Sequence, residues 1–449
     1  MTHSTAHESL SLKVEYVDPH TLIQYERHTR IHSNRQIYKI ERSISRYGFV
    51  NPILIDDQNG VIAGHGRLVA ALHLRYHEVP VIRLSHMSAA EKRAYIIADN
   101  RLAEEAGWDV ELLRLELGDL IELKDEIDIT DTGFDIAQVD MILLEPEGRP
   151  TGPDTDDVVP EEAPAVTRQG DLWLFDDERH RVLCGDALEQ ADVARLIDGQ
   201  AVRMLLTDPP YNVPVKGHVS GLGKAEHGEF AYASGEMDAG QFTQFLKDTL
   251  SNGAAHLVDG GLAYVFMDWR HIEEVMAAGR AVFDRFENMC VWTKTNGGMG
   301  SLYRSSHELC FIFKSGKASH LNHVQLGRFG RNRTNVWAFA GANAFSKNRD
   351  ADLADHPTVK PVGMLAEAML DVTNPDDVVL DLFGGSGSTL LAARRVHRCA
   401  CLMEYEPGYV DVMIRRWIGR YGSIPVLEET GESYHEVAAR REAEAMEEA

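Results

Sequence analysis

The sequence predicts an α/β protein in two parts: a larger domain built on an open parallel sheet, and a smaller α/β domain ahead of it. Three stretches carry that prediction. The apolar run Val202–Leu206 stops at Thr207-Asp208-Pro209-Pro210-Tyr211-Asn212, as a buried parallel strand does when it delivers side chains to the carboxyl edge of a sheet. Val378-Val379-Leu380-Asp381-Leu382 runs into Phe383-Gly384-Gly385-Ser386-Gly387-Ser388-Thr389 and then the helix-like Leu390–Arg395. That is strand, glycine turn, helix: the glycines let the backbone approach a ligand, and the helix start offers free N–H groups. Ala400-Cys401-Leu402-Met403 is a further apolar strand, and it ends in Glu404. An acid about twenty residues beyond a glycine turn is the Rossmann-like arrangement for accepting hydrogen bonds from ribose hydroxyls.

The smaller domain is expected over residues 12–141, after a polar start. Ile37–Tyr47 has helical spacing, with Gly48 as its stop signal. Pro52–Ile55 and Gly60–Ala63 read as two strands joined through Asn59-Gly60, Val79–Ile82 as another strand, and Ala89–Ala103 and Leu112–Leu123 as helices. Gly64-His65-Gly66-Arg67 opens the helix Leu68–Leu72. There N–H groups, the positive dipole end and a guanidinium would converge on a phosphate; a scaffold turn without ligand is the alternative.

Residues 142–166 are rich in Pro, Gly and acid and read as a flexible, solvated linker. The larger domain is expected over 167–425, with an acidic tail over 426–449. Gly170–Leu174 and His180–Asp186 look like a hairpin ending in Asp186, which is either a helix N-cap or a ligand contact. Ala263–Met267, Met289–Trp292 and Glu308–Phe313 are further strands, the last expected as an antiparallel edge. Trp292 and Phe311 are assigned to the core, and His307 and His356 to turns or core, since neither has metal-ligand partners at sensible spacing. Two segments resist regular assignment. Val213–Gly235 is glycine-rich and follows the Pro-Pro turn, as a loop over a substrate would. Gly327–Arg349 carries Arg328, Arg331, Arg333, Lys347 and Arg349 without an acid; it reads as a solvated loop or as a surface meeting nucleic-acid phosphates and guanine edges.

The Pro-Pro turn has its own chemistry. Asp208 supplies an acceptor, Pro209 leaves a carbonyl free, and Tyr211 offers an aromatic face. Together they fit an exocyclic amine on a flat heterocycle, although an isolated turn of this kind also occurs as plain strand-to-loop structure. Asp208-Pro209-Pro210-Tyr211 upstream of Asp381–Thr389, with His356-Pro357-Thr358-Val359-Lys360-Pro361 just before the glycine turn, resembles the amino-group DNA methyltransferases that use S-adenosylmethionine. The order, catalytic motif first and cofactor motif last, is that of their beta class, and the resemblance covers about residues 167–425.

The resemblance implies that Asp208, Pro209, Pro210 and Tyr211 hold a flipped base in double-stranded DNA. The cofactor would lie among Asp186, Asp381, Phe383, Gly384, Gly385, Ser386, Gly387 and Glu404, with Thr358 and Lys360 near its carboxylate end. The basic run, Arg328, Arg331, Arg333, Lys347 and Arg349, would face DNA. Asp in the first motif position leans toward adenine N6, because cytosine-N4 enzymes more often carry Ser there. Leu382 stands where the family usually has Pro, and Ser388 where it has Thr; the glycine frame is intact. In the smaller domain, Gly64, His65, Gly66 and Arg67, with Asn51-Pro52-Ile53 and Ala98–Arg101, resemble the ParB N-terminal domain, a fold shared with sulfiredoxin. Its Gly-x-x-Arg segment binds nucleotide phosphates. His65-Gly66 replaces the Glu-Arg common in chromosome-partition members, so CTP hydrolysis does not carry over.

Composition narrows the rest. At 449 residues with 44% hydrophobic and 26% charged content, the chain has room for two real cores. A formal charge of −25 argues against non-specific coating of nucleic acid but leaves a local basic strip open. The five cysteines form no CxxC and none follows a proline, so the Pro-Cys nucleophile of cytosine-C5 chemistry is missing. No apolar run approaches a membrane span. A cytoplasmic enzyme is expected, with no metal and, by analogy to related enzymes, a homodimer. The competing readings are a cytosine-N4 enzyme, an RNA or protein-glutamine methyltransferase, and a ParB-like regulatory protein with a silent second domain. No restriction-nuclease signature is visible, which favours a stand-alone modification enzyme.

Overall fold

The computed structural model describes residues 12–25, 32–105, 107–123, 126–143, 155–160, 164–213, 235–294, 302–324, 333–340 and 359–448. The chain forms two compact units, Met1–Leu143 and Leu144–Ala449.

In the first unit, β1 (Val14–Val17), β2 (Ile53–Ile55), β3 (Val61–Ala63) and β4 (Val79–Arg83) form a sheet in the order β1-β4-β2-β3. The β2–β3 hairpin is the predicted one. Asp56 accepts from the N–H groups of Gln58 and Gly60 (2.9 and 2.8 Å), and Asn59 takes the left-handed backbone the turn requires (φ 62°). Helix α1 (Asn34–Tyr47) starts earlier than predicted because the Ser33 hydroxyl caps it, accepting from Gln36 N–H, and it stops at Gly48 as expected. Helix α2 (His65–His73) packs Leu68 and Ala71 onto Ile53, Ile55, Val61, Val79 and Val81. Helices α3 (Ala89–Glu105), α4 (Val110–Glu122) and α5 (Ile136–Leu143) follow. Leu117 and Ile121 of α4 bury against Ile129 and Val139 in a small core of their own.

The second unit holds, among the described residues, ten strands in one sheet. They are β5 (Leu172–Phe175), β6 (His180–Cys184), β7 (Val202–Thr207), β8 (Leu257–Met267), β9 (Arg285–Thr293), β10 (His307–Lys314), β11 (Val336–Ala338), β12 (Val378–Asp381), β13 (Cys399–Glu404) and β14 (Val426–Leu427). Their order is β11-β9-β10-β8-β7-β12-β13-β6-β5-β14, with β8, β7, β12, β13 and β6 mutually parallel. Alternate side chains cover the two faces. Leu205, Leu380, Cys401 and Met403 meet Phe242 and Leu246 of α7 (Ala239–Ala254), beside α6 (Gln190–Ile197) and α8 (Ile272–Val282). Leu206, Val379, Ala400 and Leu402 meet α9 (Val362–Val372), α10 (Ser388–Arg395) and α11 (Pro407–Tyr421). Burying each leucine, valine, methionine or phenylalanine among them stabilises the fold by about 1.5–3 kcal/mol. Trp292 and Phe311 are fully buried, as expected.

Three expectations are corrected. β10 is an interior strand, antiparallel to both β8 and β9, and β11 lies outside β9. Part of the expected linker is folded onto the second unit: Asp156 and Asp157 are buried. Asp157 accepts from Val362 N–H (2.9 Å), and Asp156 pairs with Arg420 while its carbonyl accepts from Arg416. Those arginines make burial of the acids tolerable. The expected acidic tail is also structural. β14 adds to β5, and α12 (Tyr434–Glu448) buries Tyr434 and Val437 with Trp173 while Arg441 pairs with Asp171.

Candidate active site

Strands β7 and β12 are parallel neighbours, with Leu205 opposite Leu380. Their carboxyl ends therefore emerge side by side, Asp208 from one and Phe383-Gly384 from the other. The chain leaves β7 toward β8 and leaves β12 toward β13, on opposite sides of this pair. An open sheet has its ligand crevice at such a divergence.

The glycine turn is held by its neighbours. Gly384 N–H donates to the Met403 carbonyl (2.8 Å), Gly385 N–H to Glu404 Oε2 (2.8 Å), and Glu406 N–H to Glu404 Oε1 (2.9 Å). Gly387 precedes α10 in a left-handed backbone (φ 83°), where a Cβ would stand 2.8 Å from Met413 Cγ. Asp381 accepts from Phe383 N–H (3.1 Å) and from the Thr389 hydroxyl (2.6 Å), so it fixes the turn from behind. Burial pushes both carboxyls, Asp381 and Glu404, up to about 7.

The Pro-Pro turn closes the other side. Tyr211 donates its hydroxyl to Asp208 Oδ1 (2.6 Å), and Lys360 Nζ pairs with Asp208 Oδ2 and, at 3.1 Å, with Glu308 Oε2. Glu308 also pairs with Lys294. The Lys360 ammonium lies 5.2 Å from the Phe266 ring centroid and 5.9 Å from that of Trp292. Burial pushes the Asp208 carboxyl above its ordinary value against the pull of Lys360. Burial also works against charged Glu308, yet Lys360 and Lys294 bring it down to about 2. The two carboxylates likewise overcome burial to hold Lys360 above its usual range. Two acids and two ammonium groups thus form a locally neutral cluster. Asn212, in a left-handed backbone (φ 52°), ties the turn to the start of α7 by accepting from Gly235 N–H (3.0 Å) and donating to the Met237 carbonyl (2.8 Å).

One cavity is lined by Asp186, Asp208, Pro209, Pro210, Tyr211, Lys360, Asp381, Phe383, Gly384, Gly385, Ser386 and Glu404, so nearly all the described site residues predicted from sequence meet. Gly387 lies behind the lining as the helix cap. Asp186 lines the cavity and is not the cap of α6, whose N-cap position is Glu189; it closes the preceding turn by accepting from Leu188 N–H (2.9 Å).

The DNA methylase family pattern matches residues 202–415, from β7 into α11. A ParB-methyltransferase helix-turn-helix pattern matches residues 111–169. Residues 202–415 thus form a DNA methylase domain of the N6/N4 family, carried beside a ParB-like region. The chain is 22% identical over 265 residues to the type II methyltransferase M.HpaI of Haemophilus parainfluenzae, covering 56% of this chain and 77% of that relative. It is 40% identical over 85 residues to the ParB-like nuclease domain-containing protein YnaK of Escherichia coli K12, covering 19% of this chain and 98% of YnaK. The crystal structure of the M1.HpyAVI–SAM complex superposes with a TM-score of 0.37 at 19% identity, covering 52% of this chain and 97% of that one.

Two of the predicted site residues are held by carboxylates. Lys360 lines the cavity, with its charge engaged by Asp208 and Glu308. Arg333 is turned to α9 rather than to solvent. It pairs with Glu367 (2.8 Å) and Asp371 (3.1 Å) and lies 5.6 Å from the Trp337 ring centroid, because two carboxylates of α9 offer a stronger partner than solvent. Arg328, Arg331, Lys347, Arg349, Thr358 and His356, and most of the Val213–Gly235 loop, lie outside the described residues.

Sequence reasoning passed over Glu308 and Lys294. Their signal was a charge close to each of the apolar stretches Met289–Trp292 and Leu309–Phe313. It also passed over α5, whose Ile136, Val139 and Leu143 keep helical spacing. In the ParB-like unit the predicted cluster is assembled. Gly64 takes φ 97° at the start of α2, His65 is buried, Gly66 packs against α1, and Arg67 Nη2 donates to the Pro52 carbonyl (3.2 Å). Burial lowers the Arg67 pKa against the opposing pull of Asp99.

Proposed function

We propose that this DNA methylase acts on the exocyclic N6 of an adenine flipped out of duplex DNA. One observation carries the reading: the amine-binding turn and the glycine turn with its strand-end acid line a single cavity. The residues fit S-adenosylmethionine, because Glu404 lines the cavity with lone pairs to spare for ribose hydroxyls and Gly384–Ser386 present backbone beside it. That group, when bound, supplies a methyl carbon made electrophilic by its sulfonium.

The protein's share is positioning. An exocyclic amine conjugated with a purine is a poor nucleophile. Asp208 and the Pro209 carbonyl, accepting its two hydrogens, favour a pyramidal nitrogen with its lone pair exposed. Tyr211 offers its ring to the base, which cannot be reached inside the stack and must leave it. No Pro-Cys nucleophile exists in the chain, so attachment through a ring carbon is not supported.

The test is methyl transfer from labelled S-adenosylmethionine to unmethylated duplex DNA, followed by nucleoside analysis, with Asp208→Ala beside the wild type. N6-methyladenine that vanishes in the variant is expected, with cofactor affinity kept within about threefold. N4-methylcytosine would overturn the base assignment while keeping the mechanism. For the ParB-like unit we propose a nucleotide phosphate at Gly64–Arg67, where a helix start and a guanidinium converge.

A further inference from the structure

Methyl transfer as proposed requires Asp208 Oδ1 to accept an amine hydrogen, yet both carboxylate oxygens of Asp208 are engaged. Tyr211 gives its hydroxyl proton to Oδ1 at 2.6 Å, and Lys360 holds Oδ2. The same tyrosine hydroxyl lies 3.2 Å from Glu308 Oε2. A phenol has one proton to donate, so its two carboxylate neighbours compete for it, and the shorter contact marks Asp208 as the resting acceptor. Glu308 is fixed in place to be the other. Its side chain is 10% exposed, Lys294 holds its Oε1, and its backbone is paired with Trp292 of β9.

We infer that Glu308 is a positioning residue that takes over the Tyr211 hydroxyl when the target amine claims Asp208 Oδ1. The inference rests on the methyltransferase reading above. The hand-over exchanges one hydrogen bond for another and leaves the net charge of the cluster at zero, because Lys294 and Lys360 remain opposite Glu308 and Asp208 throughout. Without Glu308, the displaced hydroxyl would be left among apolar and cationic groups with no acceptor. The amine would then have to compete with Tyr211 for a carboxylate oxygen at every turnover.

The experiment measures single-turnover methyl transfer, cofactor affinity and thermal unfolding for the wild type, Glu308→Leu, Glu308→Gln, Tyr211→Phe and the Tyr211→Phe/Glu308→Leu pair. Tyr211→Phe has no hydroxyl to hand over, so the hand-over predicts a background-dependent effect. Glu308→Leu should slow transfer roughly thirtyfold beside Tyr211 but less than about threefold beside Phe. Glu308→Gln, whose amide oxygen still accepts, should stay within about fivefold of wild type, with cofactor affinity unchanged in all. If Glu308→Leu is too unstable to assay, Lys294→Met/Glu308→Leu restores the charge balance and carries the same comparison. Equal losses in both backgrounds, or no loss, would overturn the hand-over. A wild type that transfers no methyl group to DNA would instead overturn the functional reading, and the hand-over with it.

Discussion

Gly64 at the mouth of α2 and Gly387 at the mouth of α10 both follow an apolar strand in a left-handed backbone, and neither helix start receives a side-chain cap. The rims differ. Beside Gly64 stands a guanidinium: Arg67 folds back over the turn, its Nη2 2.9 Å from where a glycine Cβ would be. Beside Gly387 the rim is acidic, with Glu404, Asp381 and Asp186 around a cavity left open. A strand–glycine–helix turn therefore supplies N–H groups and close approach, but not the identity of its ligand. A cationic rim suits an anion such as phosphate; an acidic rim suits hydroxyls and a positively charged cofactor.

Removing the acid from the second turn should have the largest effect. Glu404→Gln is expected to weaken S-adenosylmethionine binding roughly ten- to hundredfold by calorimetry, the worth of charge-assisted bonds to hydroxyls. Its pH signature has a definite sign. Burial holds the Glu404 carboxyl up to about 7, whereas ligand binding requires the carboxylate. Cofactor affinity should therefore rise with pH up to about 7 and flatten above it. The free protein should behave oppositely. Its folded state keeps protons that the unfolded chain releases in the ordinary carboxylate range, so stability falls as pH rises from that range to about 7. Glu404→Gln should flatten the affinity profile and only reduce the stability slope, since Asp381 contributes to it too. An affinity profile that keeps its rise in the variant would assign the effect to another group.

Two arginines sharpen the same contrast between paired and unpaired charge. Arg333 is 13% exposed and flanked by Glu367 and Asp371. Arg333→Met should therefore destabilise the second unit by about 3 kcal/mol, because it takes a buried guanidinium away from two carboxylates. It should leave the salt dependence of DNA binding unchanged. A flattened salt slope with an unchanged melt would restore the DNA-facing role.

Arg333 also marks where sequence reasoning stops. A run of basic residues without acids is visible in one dimension, but Glu367 and Asp371 lie more than thirty positions away, and only the fold brings them to it. Glu308 and Lys294 escaped for the same reason, since nothing local links the two charges until β9 and β10 pair. The sheet centre was legible because its signals are local: apolar runs, the Pro-Pro turn, the glycine turn and the acid that ends β13. The acid-rich segments misled because acidity was read as solvation, while Arg416 and Arg420 neutralise one segment, and Arg441 reaches back from the other to Asp171.

The glycines themselves should separate next. Gly64→Ala and Gly387→Ala both place a side chain on a left-handed backbone, which costs about 1–2 kcal/mol. At Gly64 the crowding atom is the far end of a flexible arginine. At Gly387 it is Met413 Cγ at 2.8 Å, close to the backbone of a packed helix. Gly387→Ala should thus lose more, by about 1 kcal/mol, in chemical denaturation, and equal losses would mean that α11 yields as easily as Arg67 does.

The smallest effect on stability is expected where, among the described residues, a cation forms no ion pair and feels its carboxylate neighbour, Asp99, only at longer range. Arg67 is half-buried, its Nη2 donates to the Pro52 carbonyl, and burial lowers its pKa. A guanidinium held this way costs the free protein desolvation that an apolar group of similar length would not. Arg67→Met should therefore change the melting of the ParB-like unit by less than about 1 kcal/mol, or raise its stability, while abolishing the protection that a nucleoside triphosphate gives against unfolding. Cofactor affinity in the second unit should be unchanged. A variant that is strongly destabilised, yet protected by nucleotide as well as the wild type is, would make Arg67 part of the scaffold. Loss of protection without loss of stability is the pattern of a residue retained at some cost for a ligand, the counterpart in the first turn of the buried carboxylate in the second.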